Sequence, residues 1–239
     1  MTLIRENSYK GIRISATGNV HLLIGEMIEH MHLSPTTRIL DLGSGYGAFC
    51  ARLLDMGFHD IEACEIVPDI FKVQGVLCRR VDLNQSHFNG FFEKRYDLIV
   101  AQEILEHLES TTNFFNSVVK MLNPGGIVIL STPNVQSWYS RILFLRKGEM
   151  HWFDNERIQK DGHISPIFDW QVEVLSRKAG FSIVDKAHTD DRLLLNRYIF
   201  PKGFFRALFT RTMYLYLFLH PIMRSAGKGE LRIWVLKKD

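Results

Sequence analysis

Cysteine is scarce in this chain of 239 residues: Cys50, Cys64 and Cys78 are all there is, with neither C-x-x-C nor zinc-type spacing among them. No disulfide framework or zinc site is indicated, and the thiols read as small buried apolar residues in a reducing compartment. Met1 to Lys10 lacks an apolar core of signal-peptide length and carries Arg5, Glu6 and Lys10, so the expected location is cytoplasmic. Low-complexity tracts and internal repeats are absent. Strong charge is absent too: a formal +3 and a pI near 8.7 do not declare a nucleic-acid binder, and only the distribution of basic residues is informative. The length suits one α/β domain, residues 1–239, with a full core and room for an insertion.

What is present is organised around Ile39-Leu40-Asp41-Leu42-Gly43-Ser44-Gly45-Tyr46-Gly47-Ala48-Phe49, which reads as a buried strand, a glycine loop and the start of a helix. Alternating glycines turn the backbone sharply and leave no Cβ between main chain and ligand, while the helix offers free N–H groups. Such a loop at a strand's C-terminal edge is where open α/β sheets bind ligands. Gly43, Gly45 and Ala48 also satisfy the dinucleotide pattern G-x-G-x-x-G/A. Asp41 favours another ligand, since a carboxylate so close would repel a pyrophosphate and suits an ammonium group.

Periodicity carries the α/β pattern along the chain. Val20, Leu23, Ile24, Met27, Ile28 and Met31 predict a helix over Thr17 to Met31, with His21 and His30 at its surface. A helix follows from Ala48 to Met56, then a strand Ile61–Glu65 whose terminal acid suits ribose hydroxyls. Val76–Val81 leads to Asp82-Leu83-Asn84, and Tyr96–Ala101 is a strongly apolar fourth strand. A helix through Phe114 and Leu122 stops at Asn123-Pro124-Gly125-Gly126, a turn before the strand Ile127–Leu130 and Ser131-Thr132-Pro133-Asn134. Trp170, Val174 and Leu175 mark a further helix, Phe181–Val184 a sixth strand and Leu231–Leu236 a seventh.

The glycine loop resembles motif I of class I S-adenosylmethionine-dependent methyltransferases. The pair Asn123-Pro124-Gly125-Gly126 and Ser131-Thr132-Pro133-Asn134 is similar to the ubiquinone-type O-methyltransferases, in the type 11 and 23 families, and their sugar-modifying relatives. The resemblance implies a Rossmann-like doubly wound, mostly parallel seven-stranded sheet with helices on both faces and an insertion before the last strand. It implies S-adenosylmethionine held by Asp41, Gly43, Ser44, Gly45 and Gly47, by Glu65 with Ile66, by Asp82 and Leu83 at the adenine, and by Gln102. Enzymes of this class that methylate exocyclic base amines carry an Asn or Asp followed by Pro-Pro and an aromatic after strand four. Gln102-Glu103-Ile104-Leu105 departs from that, which argues against such substrates.

Two stretches interrupt the scaffold. Residues 135–161 carry Trp138, Tyr139, Phe144, Trp152 and Phe153 among basic residues and read as an irregular substrate lid. Residues 192–228 hold no acidic residue, seven Arg or Lys and many aromatics, and their longest uncharged run, Thr212 to Met223, is shorter than the ~20 residues of a spanning helix. Such a segment suits a membrane interface, an apolar acceptor, a homodimer contact or plain core packing.

For chemistry, methyl transfer to a hydroxyl needs alignment and a proton acceptor. His107 is the candidate base, with Glu103 beside it. On a helix Glu103, Glu106 and His107 share one face. With His163 they resemble the metal site of small-RNA 3′-end 2′-O-methyltransferases, a ligand set suited to Mg²⁺ or Mn²⁺. Three readings follow. One is an enzyme methylating an oxygen of a small-molecule, sugar or lipid-linked acceptor. The others are a metal-dependent RNA 2′-O-methyltransferase and a cofactor-binding peripheral membrane protein without turnover.

Overall fold

The computed structural model describes residues 6–17, 19–189 and 229–239, so the basic aromatic stretch 192–228 lies outside the described residues. A small antiparallel hairpin, β1 (Ser8–Tyr9) and β2 (Ile12–Arg13), precedes helix α1 (Val20–His30). Then strand and helix alternate: β3 (Ile39–Leu42), α2 (Ala48–Asp55), β4 (Ile61–Glu65), β5 (Leu77–Arg80), β6 (Tyr96–Gln102), α3 (Thr111–Met121) and β7 (Leu122–Pro133). Helices α4 (Trp138–Lys147), α5 (Asn155–Asp161) and α6 (Asp169–Lys178) follow, then β8 (Phe181–His188) and β9 (Leu231–Lys238).

Strands β3 to β9 form one seven-stranded sheet in the order β5-β4-β3-β6-β7-β9-β8. The pairs among β3 to β7 are parallel, whereas β9 runs antiparallel to both neighbours. Strand order reverses between β3 and β6, which opens a crevice beyond their C-terminal ends. The expected Rossmann-like α/β sheet is therefore the fold.

Both faces are covered, which is why the central strands read as nearly continuous apolar runs. Leu40, Leu42, Ile99 and Leu130 pack with Phe114, Phe115 and Val118 of α3 and Val172 of α6. The alternate residues Ile39, Leu98, Val100 and Ile129 pack with Val20, Ile24 and Ile28 of α1 and Phe49 and Leu53 of α2. Each buried side chain of this size contributes about 1.5–3 kcal/mol. Asp41 shares the face of Ile39 and enters the layer containing α2.

The structure corrects four expectations. His21 is buried, edge-on to Phe49 with ring centroids 5.2 Å apart, because its helix turns that side toward α2. Burial lowers its pKa to about 3, so it packs as a neutral ring. Residues 122–126 are the extended start of β7, with Gly125 at φ 71°. The 135–161 stretch is not irregular, since it holds α4 and α5, whose N-caps Ser137 and Asp154 accept from Ser140 N and Arg157 N. Glu103, Glu106 and His107 do not share a helical face: β6 extends to Gln102, Glu103 has φ 52°, and only a 3-10 turn spans Leu105–His107. The three cysteines are free thiols; Cys50 and Cys64 are buried as expected, whereas Cys78 is only half-buried.

Candidate active site

At the C-terminal ends of β3, β4 and β6 lies a cavity of about 610 Å³, lined by the glycine loop, the segments after β4, β5 and β6, residues 13–17 and part of 152–163. Asp41 is 2 % exposed on its floor, and among the described residues its side-chain donor is the Cys50 thiol, Sγ to Oδ2 3.3 Å. Burial pushes its pKa up to about 7, only partly offset by that thiol. Gln102 Oε1 is also buried and, among the described residues, without a hydrogen-bond partner. Asp41 and Gln102 thus bring two acceptor groups to the lining of the cavity.

The loop is fitted closely to its neighbours. Gly43 has φ 70°, and an added Cβ would lie 2.0 Å from Ile104 Cδ1; at Gly47, φ 88°, it would lie 2.7 Å from Phe71 and from Val73. Glu65 closes β4 with Oε2 accepting from Gly45 N at 2.9 Å and Oε1 from Ile66 N at 2.8 Å, which ties loop to strand end. Asp82 Oδ1 accepts from Asn84 N at 2.9 Å in an Asx turn, and Asp82 and Leu83 both line the cavity.

After β6 the chain stays bonded to the sheet, since Glu103 N donates to Ser131 O at 3.0 Å. The Glu103 carboxylate then reaches back to Thr17, accepting from N at 2.8 Å and Oγ1 at 3.0 Å, and burial raises its pKa to about 7. Glu106 is fully buried: Oε2 accepts from Thr132 Oγ1 at 2.8 Å, and Oε1 has no hydrogen-bond partner among the described residues. Burial and the Glu103 charge push its carboxyl well above the usual range. His107 and His163 meet edge to face, centroids 4.8 Å apart. Nδ1 of His107 lies 3.3 Å from Gly162 O, and Nδ1 of His163 lies 3.0 Å from Trp152 O. A carbonyl only accepts, so each ring donates from Nδ1 and leaves an Nε2 lone pair. Burial lowers both pKa values, keeping the rings neutral at pH 7.

The cavity thus collects Asp41, Gly43, Ser44, Gly45, Glu65, Ile66, Asp82, Leu83, Gln102, Glu103, His107 and His163. Gly47 is not among the lining residues and instead caps α2. Glu106, His107 and His163 offer ligand atoms within 4.8 Å of one another; Glu103 is not part of that cluster, and its two oxygens accept from Thr17 instead. Sequence reading placed Trp152 in the lid but not in the wall itself, and it missed Arg13, Thr17, His21 and Arg157 as lining residues. Only the aromatic and basic content of 135–161 hinted at the last.

The fold together with this site defines a class I S-adenosylmethionine-dependent methyltransferase. A family profile described as "Methyltransferase domain" (Methyltransf_23) matches residues 17–186, and the chain belongs to that family. It is 28 % identical over 123 residues to the ubiquinone biosynthesis O-methyltransferase of Rickettsia typhi, covering 48 % of this chain and half the length of that relative. It is 25 % identical over 186 residues to the enzyme of that name from Hydrogenovibrio crunogenus, covering 72 % of this chain and 73 % of the relative. Among solved structures, a SAM-dependent methyltransferase from Archaeoglobus fulgidus has a TM-score of 0.62 at 15 % identity, covering 91 % of this chain and 94 % of the other. Magnesium protoporphyrin IX methyltransferase from Synechocystis, solved with bound SAH, has a TM-score of 0.57 at 13 % identity over 92 % and 82 % of the two chains. These structural likenesses speak to the fold. The cofactor is S-adenosylmethionine.

Proposed function

We propose that the enzyme methylates a hydroxyl oxygen of a small-molecule acceptor. The observation that carries this reading is the neutral His107–His163 pair in the wall of the cavity that also holds the glycine loop. The names of the relatives, O-methyltransferases, support it. When bound, S-adenosylmethionine supplies an activated methyl group, whose S–C bond breaks as the new C–O bond forms, leaving S-adenosylhomocysteine. Asp41 and Gln102 Oε1 would accept from its ammonium, Glu65 from its ribose hydroxyls, and Asp82 and Leu83 would meet the adenine. His107 takes the hydroxyl proton at Nε2, and its Nδ1–H bond to Gly162 fixes the ring for that task. The segment 135–161 supplies the acceptor side of the cavity through Trp152, Arg157 and Asp161, and excludes water as a lid does.

A second reading, metal-assisted transfer, is favoured by the buried, unpartnered Glu106 Oε1 beside two imidazoles with free Nε2 lone pairs. A metal held by Glu106, His107 and His163 would polarise the acceptor hydroxyl. With Glu103 outside the cluster the donors are two nitrogens and one oxygen, which suits Mn²⁺, Fe²⁺ or Zn²⁺ better than Mg²⁺. One assay separates the readings: labelled S-adenosylmethionine with a panel of hydroxylated acceptors, with and without chelator. His107→Ala is expected to lower turnover by about 10² or more while S-adenosylhomocysteine affinity is retained. Turnover that resists both the chelator and that variant overturns the histidine assignment, and loss to chelator restored by Mn²⁺ selects the metal.

A further inference from the structure

The cavity contains one strained and unsatisfied group that neither cofactor binding nor proton removal uses. Trp152 has φ 71°, a conformation that a bulky residue rarely adopts. The turn that imposes it is tight: Met150 and Phe153 form a β-bridge, with Phe153 N donating to Met150 O at 2.9 Å. The turn presents the Trp152 carbonyl to His163 Nδ1 at 3.0 Å and brings the indole to the cavity wall. Its Nε1 is buried, with no hydrogen-bond partner among the described residues. A buried donor left unpaired is costly, so one at the wall of a binding cavity is a candidate ligand contact.

Arg157 stands beside it. Its guanidinium carbon lies 4.5 Å from the indole centroid, and Nη1 donates to Asp161 Oδ2 at 2.6 Å. A guanidinium has five N–H donors, so this pair leaves others for a ligand. The lining carboxylates nearest in sequence are occupied, Asp161 by Arg157 and Glu103 by Thr17. Indole and guanidinium therefore supply hydrogen-bond donors, whereas the His107 and His163 Nε2 atoms are acceptors. A molecule satisfying both must bring an oxygen acceptor to the first pair and a hydroxyl to the second.

We propose that Trp152 Nε1 and Arg157 form a subsite for an anionic oxygen of the acceptor, so that the substrate is a hydroxy acid held by its carboxylate while its hydroxyl meets the histidines. This rests on the O-methylation reading. Trp152 is the specificity-determining residue: it reads the acceptor directly with the indole and orients His163 through its carbonyl.

The test uses the full chain loaded with S-adenosylhomocysteine, and 2-, 3- and 4-hydroxybenzoate against the matching hydroxybenzyl alcohols, which keep the ring and hydroxyl but lack the carboxylate. Calorimetry is expected to give tighter binding of at least one hydroxybenzoate than of its alcohol. Trp152→Phe, which keeps a ring and deletes the N–H, weakens that acid about tenfold or more, a clearly larger loss than for the alcohol, and leaves S-adenosylhomocysteine binding unchanged. Arg157→Lys, which keeps the charge and loses the planar fork, also weakens the acid selectively. No binding of any hydroxybenzoate, or equal losses for acid and alcohol, overturns the subsite. Labelled-methyl assays with the same compounds keep the two readings apart. Binding of the acid without methyl transfer to its hydroxyl defeats O-methylation, whereas transfer with no preference for the acid defeats the subsite alone.

Discussion

Asp41 shows how much chemistry one buried side chain concentrates. Its folded pKa of about 7 lies above the ordinary 3.8, so between those values the native state holds a proton that the unfolded chain has lost. The group's contribution to stability is therefore full below pH 3.8 and is lost as pH rises through 7. An ammonium ligand reverses the preference by favouring the carboxylate. S-adenosylhomocysteine binding is accordingly expected to tighten as pH rises toward 7 and to release a proton near pH 6.5. Calorimetry in two buffers of different ionisation enthalpy measures that release, and Asp41→Asn should abolish it. A release unchanged in Asp41→Asn would assign the proton elsewhere, with Glu103 the next group to examine. The position of Asp41 was legible from sequence, two residues before a glycine at the end of an apolar strand. Its thiol partner Cys50 was not, because residues nine apart on a strand and the following helix meet only once the β3–α2 crossover has folded.

At the scale of elements, the glycine loop and the segment after β6 are one packed unit. Gly43 was legible as a turn residue, but the demand on it is double, since Ile104 occupies the space a side chain would need. Gly43→Ala thus combines left-handed backbone strain of about 1–2 kcal/mol with overpacking of about 1–3 kcal/mol. Urea unfolding should show a loss of roughly 2–5 kcal/mol on those two grounds, and adding Ile104→Ala should relieve only the steric part. The same region shows why a helical face over Glu103, Glu106 and His107 was a fair but mistaken expectation. Offsets of three and four describe spacing and cannot register that Glu103 N is still bonded to Ser131 O, which keeps the residue in the sheet ladder. The histidines were legible as chemistry. Their pairing across Gly162 and Trp152 needed the α4–α5 segment folded against the 3-10 turn, which no local pattern announces.

For the whole molecule, the succession of strands and helices was legible in the apolar segments and the two-sided doubly wound sheet was implied by the resemblance, whereas the order of the strands needed the folded chain, because pairing partners are set by crossovers and not by local pattern. The cover over the cavity did not follow, since it joins residues 86 apart: Thr17 gives both its N–H and its hydroxyl to Glu103. Among the described residues, Arg13, Ser15, Ala16 and Thr17 wall the cavity while this contact holds. We expect this contact to act as a latch that paces turnover. Anything leaving the cavity past this wall waits for two hydrogen bonds to open, so the spent cofactor is expected to leave more slowly than methyl transfer occurs. Rapid-quench measurements should then show a burst of the first turnover followed by a slower steady state. In Thr17→Val, which deletes one of the two bonds, the burst should shrink as the steady-state rate rises. A linear time course in the parent enzyme would show that chemistry, and not departure, keeps the time.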